Sequence, residues 1–247
     1  MFKYFSFFLA LMSTTIFAQE DAFTAVKNME ELLWAGTNRG EASMTIETPH
    51  WRRTLRMQVW MDRPDLTFIR ILSPKKERGV GSLRIGDEMW NFIPNIDRVI
   101  KIPPSMMLQP WMGSDFSNDD LVKESSLIED YDHRLLDIME DEAGKVAHIE
   151  ATAKPDAPVV WGKIELWLNP DSFIPLRQMF FDEQGQAIKD LTFDEVKVIG
   201  GRKVPTRWTM TSLDKTDQRT VIILHNMEYD VPLDSGIFTQ RNLRQPF

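Results

Sequence analysis

From residue 41 onward the chain keeps a period of two for most of its length. In "ASMTIE" Ala42, Met44 and Ile46 alternate with Ser43, Thr45 and Glu47; in "TLRMQVW" Leu55, Met57 and Val59 alternate with Thr54, Arg56 and Gln58. Such alternation predicts half-buried strands with one apolar and one wet face. Similar runs begin at Leu66, Gly81, Glu88 and Asp97. In the second half, strand-like runs are punctuated by turn signals at residues 141–145, 169–171 and 182–186. Gly200 and Gly201 are the strongest two-residue hairpin signal, and "RTVIILHNMEY" supplies a last long strand. About eleven strands follow from this template, and their short connections make them antiparallel.

The period changes at a few places only. Ala22, Val26, Met29 and Leu33 are spaced four, three and four apart and are followed by Gly36, which predicts an amphipathic helix with Gly36 as its C-cap, resting on the sheet. Ser117 with Asp120 three residues on is a capping-box pattern that starts a short helix, and another helical turn is expected after Asp234. No linker or low-complexity tract divides the chain. The expected fold is mainly β, of the α+β kind: one large twisted antiparallel sheet with an N-terminal helix and short helices set against one face, as a single domain over 19–247.

The first eighteen residues, "MFKYFSFFLALMSTTIFA", combine an early Lys3, an apolar run from Phe5 to Met12 and a small residue, Ala18. That is the pattern of a secretory signal peptide, 1–18, and the run is shorter than the roughly 20 apolar residues of a spanning helix. The chain has no cysteine, hence no lipobox and no disulfide, so the expected product is an exported periplasmic protein without a lipid anchor. Without residues 1–18 it carries 28 basic against 37 acidic residues, a net of −9. An acidic surface speaks against nucleic acid as a partner, and a mean hydropathy of −0.30 speaks against a polytopic membrane protein.

Catalytic signatures are missing: there is no G-x-S-x-G elbow, no H-E-x-x-H pair and no Gly-rich loop followed by Lys. His50, His133, His148 and His225 are scattered, with none of the three-to-five-residue spacing of a metal site. Asp115, Asp119 and Asp120 cluster, but acids in a first helical turn are explained by capping. The expectation is a protein with neither enzymatic activity, cofactor nor metal.

An apolar inventory of 14 Met, 8 Trp and 15 Phe against 3 Tyr remains to be placed. Part of it sits in "PPSMMLQPWMGSDFSNDDL", where Pro103, Pro104 and Pro110 exclude a regular element around Met106, Met107, Leu108, Trp111 and Met112. Soft methionine side chains and broad tryptophan faces suit a surface that accepts ligands of variable shape. We therefore expect this segment to act as a lid over an apolar cavity in a curved sheet. The expected wall consists of Leu55, Met57, Val59 and Phe68, of Trp90 and Phe92, and of Ile164, Leu166, Trp208 and Met210.

The runs "GVGSLRIGDEMWNFIPNIDRVIKIP", "MGSDFSNDDL", "KIELWLNPDSFIPLRQMFFDEQGQAIKDLTF" and "GGRKVPTRWTM" resemble the outer-membrane lipoprotein-sorting family of LolA-like periplasmic proteins. The likeness extends from about Thr24 to Leu243 and is most specific at residues 90–94 and 113–116. It implies an incomplete β-barrel, a lid of helices and loops, and a cavity for the acyl chains of a lipoprotein or lipid. It also implies an inner-membrane ABC- or RND-type transporter as partner, together with an outer-membrane receptor in the best known relatives. The alternative is an envelope sensor or exporter accessory subunit that binds a protein or lipopeptide segment without transport.

Overall fold

In the structure, a computed structural model that describes residues 7–122, 126–141, 144–157 and 159–245, one sheet organises the described chain. Its first half is a meander of β1 (Thr37–Glu47), β2 (Arg52–Asp62), β3 (Leu66–Ser73), β4 (Gly81–Ile85), β5 (Glu88–Ile93) and β6 (Arg98–Ile102). The second half runs through β7 (Tyr131–Asp141), β8 (Gly144–Ala153), β9 (Lys163–Leu168), β10 (Pro175–Phe181), β11 (Ala187–Ile199), β12 (Arg202–Ser212) and β13 (Arg219–Tyr229). Every neighbouring pair is antiparallel, and the spatial order is β6-β5-β4-β3-β2-β1-β13-β12-β11-β10-β9-β8-β7. Strands β6 and β7 are the two free edges, so the sheet is an incomplete barrel of thirteen strands rather than about eleven.

One joint unites the two meanders. β1 pairs with β13 from Asn38↔Tyr229 to Glu47↔Arg219, with a bulge between Glu41 and Ala42. Near it, a Cβ on Gly40 would lie 2.1 Å from the Asn226 carbonyl oxygen, so only glycine permits this approach of the two strands. Close to the same joint, in the hairpin of β11 and β12, Gly200 (φ 56°) and Gly201 (φ 79°) form the two-residue turn between Ile199 and Arg202. This is the backbone that a primed hairpin turn demands. The turn expected at 141–145 includes residues 142 and 143, which lie outside the described residues.

The helix α1 (Phe7–Trp34) lies on the inner face, with Ala22, Val26, Met29 and Leu33 buried in the main core. It is continuous through Ala18, where the sequence places the end of a signal peptide; residues 1–6 of that segment lie outside the described residues. The residue that leaves the helix in the left-handed region is Ala35 (φ 56°), not Gly36. Its N–H bonds the Glu31 carbonyl at 3.0 Å, so the helix closes one residue before the glycine expected to cap it.

Parity along the first strands follows the sequence pattern: Ala42, Met44, Ile46, Leu55 and Met57 all point into the main core. Parity at the next strands is reversed from expectation. Because Val59 faces inward, its register partner Ile69 does too, which sends the adjacent Phe68 to the outer face opposite Trp60. Register then carries the row outward across the sheet as Trp60, Phe68, Leu83 and Trp90. With Phe92 they form a second, smaller core, closed by Phe238 and Leu243 of the C-terminal segment.

That segment is a 3-10 turn (Ser235–Phe238) and the short helix Gln240–Leu243, the helical turn expected after Asp234. The Asp234 carboxylate accepts from the Gly236 N–H at 2.7 Å. Arg70, buried on β3, donates to the carbonyls of Asn242 at 2.7 Å and Gln245 at 3.0 Å, fastening the segment to the outer face.

Candidate functional site

The chain leaves β6 at one edge of the sheet and re-enters at β7 on the opposite edge, and the connector between them, described over 103–122 and 126–130, passes over the inner face. This connector is tied down locally. The Ser117 Oγ accepts from Asp120 N–H at 3.1 Å while the Asp120 carboxylate accepts from Ser117 N–H at 2.7 Å, the reciprocal capping box read from the sequence. It starts α2 (Asn118–Val122), whose first turn folds back so that Asn118 N–H bonds the Gln109 carbonyl and Asp119 N–H the Met107 carbonyl.

The glycine-containing motif of the connector is a fastening. Met112 (φ 52°) and Gly113 (φ 75°) are consecutive left-handed residues, and the Met112 carbonyl accepts from Arg53 on β2. Asp115 follows, buried, with its carboxylate accepting from Ser212 Oγ (2.9 Å), Gln218 Nε2 (2.7 Å) and Thr220 Oγ1 (2.7 Å), and Lys215 Nζ lying 3.7 Å away. Its own N–H bonds Thr220 Oγ1 at 2.9 Å. Hydrogen bonding to the sheet therefore accounts for this carboxylate without chemistry on a substrate.

Underneath lies a cavity of about 110 Å³ between α1, the connector and strands β9 to β12. Its apolar wall includes Met29, Leu33 and Trp34 of α1, Phe116 of the connector, and Ile164, Phe180, Leu191, Phe193, Trp208 and Met210 of the sheet. Trp34 meets Trp208 edge-to-face with ring centroids 5.1 Å apart, and Phe193 meets the same indole at 5.5 Å. Pockets for drug-sized ligands span about 300–1,000 Å³. In this conformation the cavity has room for a small group or a few methylenes only.

The polar part of the wall is acidic. Glu30, Asp119, Asp120, Tyr131 and Gln178 line it, and no Lys, Arg or His does so among the described residues. Asp120 is paired with Lys189 at 2.5 Å, and the Lys189 ammonium stands 5.0 Å from the ring centre of Trp161. Glu30 is paired with Arg63 at 2.6 Å. Burial pushes its carboxyl up to about 7, against the opposing pull of Arg63, and the charge of Glu129 adds to the rise.

That shift makes stability depend on pH. Glu30 is protonated in both states below about 4.5; above that the unfolded chain ionises first, so the folded state binds more protons until about pH 7. Stability therefore falls as pH rises through this window and levels off above it. Between about pH 5 and pH 8, the native chain should lose on the order of 2–3 kcal/mol relative to Glu30→Gln, read by urea unfolding. Parallel pH profiles for the two proteins would overturn this assignment.

The structure divides the residues expected at the cavity into four groups. Ile164, Trp208 and Met210 line it. Leu55, Met57, Val59 and Leu166 share the same inner core but not the cavity wall, and Trp111, Met107 and Met112 fill that core from the connector. Met106 and Leu108 are turned outward, 46% and 54% exposed. Phe68, Trp90 and Phe92 lie on the outer face, through the register described above, and are corrected as wall residues.

Helix α1's share of the wall was not foreseen. One signal was present: Glu30 lies four residues after Val26 and three before Leu33, so an acid sits within the buried stripe of the helix.

Comparison with known proteins places this geometry. A family model described as an uncharacterized protein matches residues 63–245. A domain from Vibrio parahaemolyticus, assigned by its description to outer-membrane lipoprotein sorting, superposes with a TM-score of 0.80 at 20% identity, over 92% of this chain and 100% of that one. A DUF1329 family protein from Desulfovibrio piger gives 0.81 at 21% identity, over 92% and 99%. A LolA superfamily protein from Nitrosomonas europaea gives 0.77 at 22% identity, over 90% and 98%. No curated protein matches the chain. With its model covering most of the chain, that family is the one to which the chain belongs, and its incomplete barrel is the fold of these LolA-like and lipoprotein-sorting structures.

Proposed function

We propose that the protein is a non-catalytic carrier of the bacterial envelope, which shelters an acyl chain of a lipoprotein or lipid between the sheet, α1 and the connector. In this reading it works in the periplasm, takes its cargo from an inner-membrane ABC- or RND-type transporter and delivers it to the outer membrane or a receptor there. The observation that carries the reading is the apolar cavity roofed by a connector with two unlike faces: Trp111, Met107 and Phe116 inward, Met106 and Leu108 outward. Each methylene taken out of water contributes about 0.8 kcal/mol, so one long chain offsets the displacement of several connector contacts.

Native mass spectrometry of the exported protein, purified from a periplasm, tests this directly. A stoichiometric apolar cargo supports the carrier; protein that comes out empty and takes up no added lipid or lipopeptide overturns it. Val159→Trp gives a second readout. Val159 lines the cavity from a loop between β8 and β9, half-buried, so an indole there fills the space without placing a charge in the core. We expect about tenfold weaker lipid uptake with unfolding changed by less than about 1 kcal/mol. Unchanged uptake would place the cargo elsewhere.

A further inference from the structure

Arg63 accounts for half of the Glu30 carboxylate only. Its Nη2 holds Oε2, and the same guanidinium donates to the Ala35 carbonyl, which staples the end of α1 to the turn between β2 and β3. The other oxygen, Oε1, is buried and has no hydrogen-bond partner among the described residues. Glu30 is 3% exposed, and it lines the cavity. A buried polar oxygen without a partner is uncommon in a native fold, since it forfeits its hydration and gains nothing in return. The cavity that Glu30 lines has Asp119, Asp120 and Tyr131 as its other ionisable lining groups.

We propose that the cavity receives the polar end of its cargo at Glu30, and that this end is a positively charged amino group. The inference rests on the carrier reading above and adds the class of head group. An ammonium supplies the donor that Oε1 lacks and meets acids at the wall. An anionic carboxylate or phosphate end would be desolvated beside Glu30 and Asp119 with no lining cation to meet it. The cavity's present volume suits such a head and the first methylenes, with aromatic faces of Trp34, Trp161 and Trp208 around them. The remainder of the chain extends under the connector once that moves.

The test uses three probes of equal chain length, dodecylamine, dodecanol and dodecanoic acid, titrated calorimetrically below their solubility or aggregation limits into the exported protein at about pH 8, where Glu30 is mostly ionised. We expect the amine to bind about tenfold tighter than the alcohol and the acid to bind weakest. Glu30→Gln should shrink the amine-to-alcohol ratio about fivefold or more. If the alcohol and the acid bind as well as the amine, the head-group assignment fails and the carrier reading stands. If none of the three binds, both fail. An amine preference that survives Glu30→Gln also overturns the role of Glu30. The native ratios decide the head class by themselves should the variant not fold.

Discussion

Asp115→Ala is expected to destabilise the fold by about 3–5 kcal/mol, the largest loss we anticipate from any single polar substitution in this chain. Its carboxylate is fully shielded and satisfies three side-chain donors from β12, β13 and the loop between them: Ser212, Thr220 and Gln218. Alanine removes a charge-assisted acceptor and leaves those donors facing apolar surroundings. Asp115→Asn keeps the shape and one acceptor, so its cost should be roughly half. Urea unfolding measures both. The connector should also become accessible to limited proteolysis near Gly113 before the sheet unfolds, because Asp115 fixes it to the joint side of the sheet. A loss below about 1 kcal/mol for alanine would show that the fastening lies elsewhere.

Trp111→Ala should cost a similar amount, about 3–5 kcal/mol, for a different reason. The indole is 2% exposed and is the largest fully buried side chain of the connector; its Nε1–H bonds Ser82 Oγ on β4 at 3.0 Å. Alanine leaves a void in a core that is otherwise close-packed. Trp111→Phe separates filling from hydrogen bonding: it retains most of the volume, loses the bond to Ser82, and should cost about 1–2 kcal/mol. Equal losses in the two variants would mean that the hydrogen bond, not the ring, holds the connector in place. Uptake of an apolar fluorescent probe should rise in the alanine variant if the vacated space joins the cavity.

The sheet was legible because period two survives wherever one face is wet. Ala42, Met44 and Ile46, and then Leu55 and Met57, declare their inner face without ambiguity. The pattern fails at β3, where Thr67, Phe68, Ile69, Arg70 and Ile71 are all buried. Here the C-terminal segment covers the outer face, both sides of the strand are dry, and alternation no longer identifies the inner one. Only register with β2 resolves it, and register is not written in one strand alone. Phe68, Trp90 and Phe92 were misplaced for this reason.

The candidate site was legible by element more than by residue. The proline-bounded methionine and tryptophan segment does cross the inner face, yet its residues divide between inward Trp111 and outward Met106 and Leu108. No periodicity exists in a chain of 3-10 turns to separate the two. Asp120 shows a related limit: local spacing revealed its capping bond to Ser117, whereas its partner Lys189 is 69 residues away.

The strand order gives the connector one more property. It joins the two outermost strands of an open arc, so it is the chord of that arc as well as its cover. A chord of fixed contour sets how far the arc may flatten, since spreading the sheet draws β6 and β7 apart and pulls the connector against its Trp111 and Asp115 anchorages. Under the carrier function proposed above, width of cargo and tension in the strap would be mechanically linked, and the length of this one segment would be a dial for cargo size.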